Sequence, residues 1–298
     1  TKNVHTFGVA GTGFSGLDCM LSLILPGDKV VVFVNGTFSG IDGLTIRMKA
    51  ATEKELAMDS MNPKPANVNI VEIPHGQSIT GETVNYSLKK HKPMWAFMVH
   101  WETGSGRIND LQGFNDACAK HGVMGLVDAV SSLGIEYFDI DDYPALVAWA
   151  SCPQKGILCL PLTYAPVSFK QKAIEVVIKR GCRTYGHHPI LEARHWGIVN
   201  GEDAAPTYHR THSCYSVAAF HEALRILLTH GREKKATDYA YHEKALHQAV
   251  KEMGCKVTSN MTSLVVFNLT GKLTGKEKEL VAVCREQNFG IWTTLSDP

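Results

Sequence analysis

The chain has 298 residues, 44% hydrophobic and 20% charged, a balance that excludes intrinsic disorder, collagen-like repeats and coiled coil. Thirty Lys plus Arg against twenty-nine Asp plus Glu leave a formal charge of +1, which provides no global field for binding nucleic acid. The apolar runs are shorter than the roughly 20 residues a membrane-spanning helix needs.

Short apolar runs alternate with helical patterns along the first two thirds, which predicts crossover units and a mainly parallel sheet flanked by helices. After a β-like start at residues 4–10, the strand candidates are 29–34, 67–73, 94–100, 123–128 and 145–151. Residues 110–121 read as an amphipathic helix with Gly122 as its left-handed cap. The stretches 63–69 and 75–82, rich in Pro, Gly and Asn, read largely as loops. From Cys214 the pattern turns helical up to Gly231, and a second helix is expected over 233–253. A strand at 263–269, a helix at 274–287 and a short strand at 290–294 complete the expectation, with a domain boundary near Gly231.

The eight cysteines are scattered and read as reduced thiols. No basic leader with an apolar run precedes the first strand, so the expectation is a cytoplasmic protein without a secretory signal. His187, His188 and His195 show no regular metal-ligand spacing, which argues against zinc.

Several segments carry possible chemistry. Gly11-Thr12-Gly13-Phe14-Ser15-Gly16 lies between a strand and a helix, where backbone amides could hold a phosphate. It also satisfies the dinucleotide fingerprint, whose NAD form expects an acidic residue where Asn35 stands. A plain structural turn is the alternative. Asn35-Gly36-Thr37-Phe38 follows a strand at its C-terminal edge, so Phe38 either covers a flat ring or packs on its own helix. The loop His100-Trp101-Glu102-Thr103-Gly104-Ser105-Gly106 reads as a ligand loop, although Trp101 could be core and Glu102 could bind amides of its own turn. Asp128 ends an apolar strand; it wants a cation there, or else caps a turn through Ser131 and Ser132. Lys155 follows the next strand at the same sheet edge, placed as a nucleophilic amine or as an ordinary surface lysine. Tyr208-His209-Arg210-Thr211-His212 offers hydroxyls and a cation before the next helix.

Taken together, a phosphate cup, a ring cover, a buried Asp and an amine match the needs of pyridoxal phosphate, whose ring nitrogen must stay protonated to draw electrons from a substrate Cα. Here the sequence resembles the class V aminotransferases of fold type I, in the alanine–glyoxylate, serine–pyruvate and 2-aminoethylphosphonate–pyruvate branch. The resemblance rests on Gly11-Thr12-Gly13, Asn35-Gly36 with Phe38, His100 to Gly106, Asp128-Ala129-Val130-Ser131-Ser132, Gln154-Lys155 and Tyr208-His209-Arg210-Thr211.

The resemblance implies an α/β fold with a large pyridoxal-phosphate domain (1–230) and a smaller, partial C-terminal α+β domain (231–298). It implies Lys155 as the Schiff-base lysine and proton carrier, Asp128 as partner of the pyridinium nitrogen, and Phe38 as the stacking ring. Thr12, Gly13, Phe14 and Gln154 would serve the phosphate, and Thr103 would border the ring. Tyr208 and Thr211 would reach the phosphate of a neighbouring subunit, implying a homodimer with shared active sites. The implied reaction moves an amino group from a small amino donor to a 2-oxo acid such as glyoxylate or pyruvate; a lyase on the same fold and an inactive cofactor-binding relative are the alternatives, with a nucleotide-binding oxidoreductase further behind. Relative to that family, the chain is expected to begin inside the fold and to stop at Asp297-Pro298 before the substrate-carboxylate arginine. Leu160-Pro161-Leu162 also replaces the family's Pro-Pro-Gly, and Gly104 replaces a hydroxyl residue or Pro.

Overall fold

The computed structural model describes residues 3, 5–136, 139–157, 164–199 and 202–291. In chain order the elements are β1 (Thr6–Ala10), α1 (Gly13–Leu21), β2 (Val30–Val34), α2 (Thr37–Ala50), α3 (Glu53–Met58), β3 (Val68–Glu72), α4 (Gly81–His91) and β4 (Trp95–Val99). Next come β5 (Trp101–Glu102), β6 (Arg107–Ile108), α5 (Leu111–His121), β7 (Met124–Asp128), β8 (Leu146–Ala150), β9 (Tyr164–Phe169), α6 (Gln171–Arg180) and α7 (Pro189–His195). The remainder holds β10 (Ile198–Val199), β11 (Glu202–Asp203), α8 (Cys214–His230), α9 (Arg232–Glu252), β12 (Lys256–Val257), β13 (Phe267–Asn268) and α10 (Glu277–Glu286).

The main sheet runs β1-β9-β8-β7-β4-β2-β3. Its five strands from β8 to β3 are parallel, while β9 lies antiparallel to both β8 and β1. The central strands are buried on both faces, which explains their unbroken apolar composition: Val-Val-Val-Phe-Val in β2, Trp-Ala-Phe-Met-Val in β4. Alternation along β2 sends Val30 and Val32 into one core and Val31 and Phe33 into the other. Leu17 of α1, Ile46 of α2, Ile174 of α6 and Ala193 of α7 close the first core. Val84 and Leu88 of α4 with Leu111 and Phe114 of α5 close the second. Asp28, buried before β2, ties both ends of this layer together by accepting from Trp95 Nε1 at 3.0 Å and from Arg180 Nη2 at 2.5 Å.

Helix α5 begins as its sequence predicts: the Asp110 side chain accepts the Gly113 amide, and Gly122 ends it at φ 66°. Four expectations change. Strand β9 was not anticipated, because Pro166 reads as a strand breaker. Pro166 is tolerated since it pairs with Gly8 of β1 and lies one position past Ala150–Val167, the last β8–β9 pair. The strand expected at 263–269 shrinks to Phe267–Asn268, which finds only Lys256–Val257 to pair with. Gly81 and Glu82, expected in a loop, form the first turn of α4, because the Thr80 side chain accepts the Thr83 amide and starts the helix. Of the strand expected at 290–294, Gly290 and Ile291 are in no strand and the rest lies outside the described residues. Cys159, Leu160-Pro161-Leu162 and Asp297-Pro298 also lie outside them. Gly231 separates α8 from α9. Among the described residues, seven cysteines are free thiols, no helix is long and apolar enough to cross a membrane, and no cluster of three metal-ligating side chains occurs.

Candidate active site

The parallel strands β2, β4, β7 and β8 all deliver their C-terminal ends to one edge of the sheet, the edge where open α/β sheets bind ligands. Chain leaving β2 gives Gly36 and Phe38, chain leaving β4 gives Trp101 and Thr103, β7 ends on Asp128, and β8 leads to Gln154 and Lys155. One cavity is lined by Gly13, Phe14, Phe38, Thr103, Asp128, Gln154 and Lys155, seven of the ten residues singled out from the sequence.

The Lys155 ammonium donates to Ser131 Oγ at 2.8 Å and to Thr103 Oγ1 at 3.1 Å, and it lies 5.0 Å from the centre of the Phe38 ring. These hydroxyls come from separate strand ends, so the lysine is held toward the cavity from two sides. Asp128 is buried, and its Oδ1 accepts the Val130 amide at 2.6 Å. It therefore does cap a turn, at Val130 rather than through Ser131 and Ser132. Burial pushes the Asp128 carboxyl above the ordinary carboxylate range, while the Val130 amide and the Lys155 charge pull it back. Such an acid gains from a cation brought next to it.

Gly11 adopts φ +127°, a region L side chains avoid, and a Cβ there would sit 2.2 Å from Ser15 Oγ. This turn starts α1 at Thr12, whose side chain makes no capping bond and does not line the cavity. Helix α1 thus presents its first amides at the cavity wall formed by Gly13 and Phe14. Glu102 binds the Gly104 amide of its own turn and also the amides of Ser39 and Phe38 on α2. Trp101 is 2% exposed and packs with Ile135 and Met261, so the core reading of this residue holds, although its edge still lines the cavity. Burial holds His100 far below the usual imidazole range, at about 3, so its 3.6 Å contact with Glu136 joins a neutral ring to the carboxyl.

Tyr208 and Thr211 lie elsewhere. They are exposed and bonded to one another at 3.2 Å, outside the cavity of their own chain. Arg210 of the same segment instead turns inward to the buried Glu192. Asp42, Val130 and Ser131 line the cavity without having been singled out individually. For Val130 and Ser131 a signal existed, since both stand inside the Asp-Ala-Val-Ser-Ser run. For Asp42 the available signal was its spacing, four residues after Phe38 and hence on the same helix face.

The sheet order, the single reversed strand and the site at the strand ends define the fold of the fold type I pyridoxal-phosphate-dependent aminotransferases. The solved alanine–glyoxylate aminotransferase from Nostoc sp. superimposes with a TM-score of 0.85 at 23% identity over 100% of this chain and 74% of its own. Pyridoxamine–pyruvate aminotransferase from Mesorhizobium loti gives 0.77 at 20% identity, over 93% of this chain and 67% of its own.

In sequence, the chain is 26% identical over 273 residues to (S)-ureidoglycine–glyoxylate transaminase of Bacillus subtilis and 27% identical over 261 residues to alanine–glyoxylate aminotransferase of Oryctolagus cuniculus. Each match covers 86% of this chain and 61% of the relative, so the chain spans about three fifths of the curated relatives it matches. The resemblance to the class V aminotransferase branch holds in both comparisons. No family model matches the chain.

Proposed function

We propose that this chain binds pyridoxal 5′-phosphate and transfers an amino group from a small amino donor to glyoxylate or pyruvate. The observation that carries the reading is the convergence of the Lys155 amine and the buried Asp128 carboxyl on one cavity that the Phe38 ring also lines. The residues suit the cofactor: glycine-bounded amides at the start of α1, a buried Gln154 Oε1 without a partner among the described residues, and an acid whose ionised form lacks a full counter-charge.

When bound, pyridoxal phosphate supplies an aldehyde for amines and a ring that withdraws electrons from Cα. Lys155 would hold the cofactor through its amine, and the same amine would serve as the base for a substrate Cα proton. Ser131 and Thr103 steer its Nζ. Asp128 would keep a proton on the ring nitrogen, because a carboxylate paired with N–H⁺ escapes the cost of lone burial. Gly13, Phe14 and Gln154 serve the phosphate, and Phe38 covers the ring and excludes water from one side.

The same reading assigns Tyr208 and Thr211 to the phosphate of a second subunit in a homodimer, supported by their exposure on a single chain. It divides the chain at Gly231 into a cofactor domain (1–230) and a smaller one (231–298), and assigns the protein to the cytoplasm, a compartment compatible with the seven thiols that are free among the described residues.

The test is to add pyridoxal phosphate to the purified chain, reduce with borohydride and map the modified residue by mass spectrometry. A label on Lys155, followed by conversion of the bound cofactor to its amine form by alanine, serine or 2-aminoethylphosphonate, supports the proposal. Absence of any labelled lysine overturns it, and release of ammonia in place of a new amino acid selects the lyase alternative.

A further inference from the structure

Asp42 has no part in the chemistry described so far. It stands one turn after Phe38 on α2, 2% exposed, in the same cavity lining as Asp128. The two carboxyl groups are in hydrogen-bond contact. Ionised carboxylates only accept hydrogen bonds, so a proton must sit between them. The Asp42 Oδ2 is buried without an N–H or O–H partner among the described residues. Asp128 differs, with the Val130 amide on Oδ1 and the Lys155 charge facing it.

The charged and titratable groups facing the pair are few. Glu102 faces both from β5, Lys155 faces Asp128 from the loop after β8, and the Cys152 thiol faces Asp128 from that same loop. Glu102 is already committed to three backbone amides. Three carboxyls against one ammonium in a buried site cannot all ionise at tolerable cost.

We propose that Asp42 is a positioning residue: as a neutral carboxylic acid it donates its proton to Asp128, and so holds the Asp128 carboxylate ionised and aimed into the cavity where the cofactor's ring nitrogen would lie. This rests on the pyridoxal phosphate reading for its purpose, but the shared proton belongs to the cofactor-free protein. Burial raises both acids, and the hydrogen bond between them separates the pair, raising Asp42 and lowering Asp128.

Two variants of the full chain test it, Asp42→Asn and Asp42→Leu. Asn keeps a donor of the same shape without a titratable proton; Leu removes the donor. The first measurement needs no cofactor. Because the folded protein holds the Asp42 proton more tightly than the unfolded chain, its stabilising share is full below about pH 4 and is lost as pH rises. Thermal melts should therefore show the Asn variant gaining on the wild type, with the gap widening by about 3 °C or more from pH 5 to pH 8. Parallel profiles overturn the shared proton.

The second measurement is pyridoxal phosphate affinity by quenching of tryptophan fluorescence. Asn should bind within about threefold of wild type and Leu about tenfold or more weakly. Equal binding by Leu and Asn overturns the positioning role. If none of the three proteins binds while the melts still diverge, the neutral Asp42 stands and its service to this cofactor is overturned.

Discussion

Glu102 accepts the Ser39 amide on its Oε2 at 2.7 Å, joining the strand end after β4 to the helix that carries Phe38 and Asp42. Its other oxygen takes the Gly104 amide at 2.8 Å and the Phe38 amide at 3.4 Å. A buried carboxylate at a helix N-terminus satisfies amides that the helix itself leaves unpaired. Gly36 makes room for it, since a Cβ there would come within 2.5 Å of Glu102 Cγ. Replacement of Glu102 by Ala should cost about 3 kcal/mol, because buried amides lose their acceptor. Urea denaturation would measure the loss; a variant within 0.5 kcal/mol of wild type, a margin of roughly a surface substitution, would refute this account.

Ser131 and Thr103 hold the Lys155 ammonium at 2.8 and 3.1 Å. The double variant Ser131→Ala with Thr103→Val frees the amine to wander, so covalent capture of pyridoxal phosphate on Lys155 should weaken about tenfold. Cofactor titration followed at its visible band reads the effect. Unchanged affinity and rate would show the hydroxyls to be bystanders.

Glu192 is fully buried and pairs with Arg210 of the segment before α8, with the His209 ring 3.8 Å away. Burial raises the Glu192 carboxyl to about 7, with Arg210 opposing. Removing one member of such a pair leaves an uncompensated polar group, so Arg210→Met should destabilise by about 3–5 kcal/mol. Adding Glu192→Gln should return much of that loss. Chemical denaturation of the two single variants and the double variant forms the cycle, and simple additivity would contradict the pairing.

Asp18 bonds to His187 Nδ1 at 2.7 Å and to Lys49 Nζ at 2.6 Å, chiefly the former lowering its carboxyl to about 2. A depressed acid contributes stability above its unfolded value near 4, and loses it as pH falls toward 2. Since its side chain is 36% exposed, solvent screening reduces the contribution to about 1 kcal/mol. Asp18→Asn should therefore be less stable than wild type at pH 7 by that amount, with the two curves merging only as pH falls to about 2. Persistent separation in acid would assign the effect to packing.

Most of the sheet was legible because buried parallel strands are written as apolar runs, and the residues that follow them had to be the cavity edge. Strand β9 was not, since tolerance of Pro166 depends on where the neighbouring strand stops, a fact of pairing and not of local sequence. Asp42 stayed hidden for a related reason. Helix α2 carries glycines and small residues around its circumference, so nothing local says which side is buried. Tyr208 and Thr211 owe their expected phosphate role to resemblance, and their exposed position on one chain carries no local mark of use.

The pairing of β1 with β9 has a consequence for biosynthesis. Thr6 meets Ser168 across 162 positions of sequence, so β1, whose partner strand among the described residues is β9, stays unpaired until that distant stretch has left the ribosome. A nascent chain halted before it would have the five parallel strands from β8 to β3 finished and β1 unfastened, and its slow step in refolding should be this late closure.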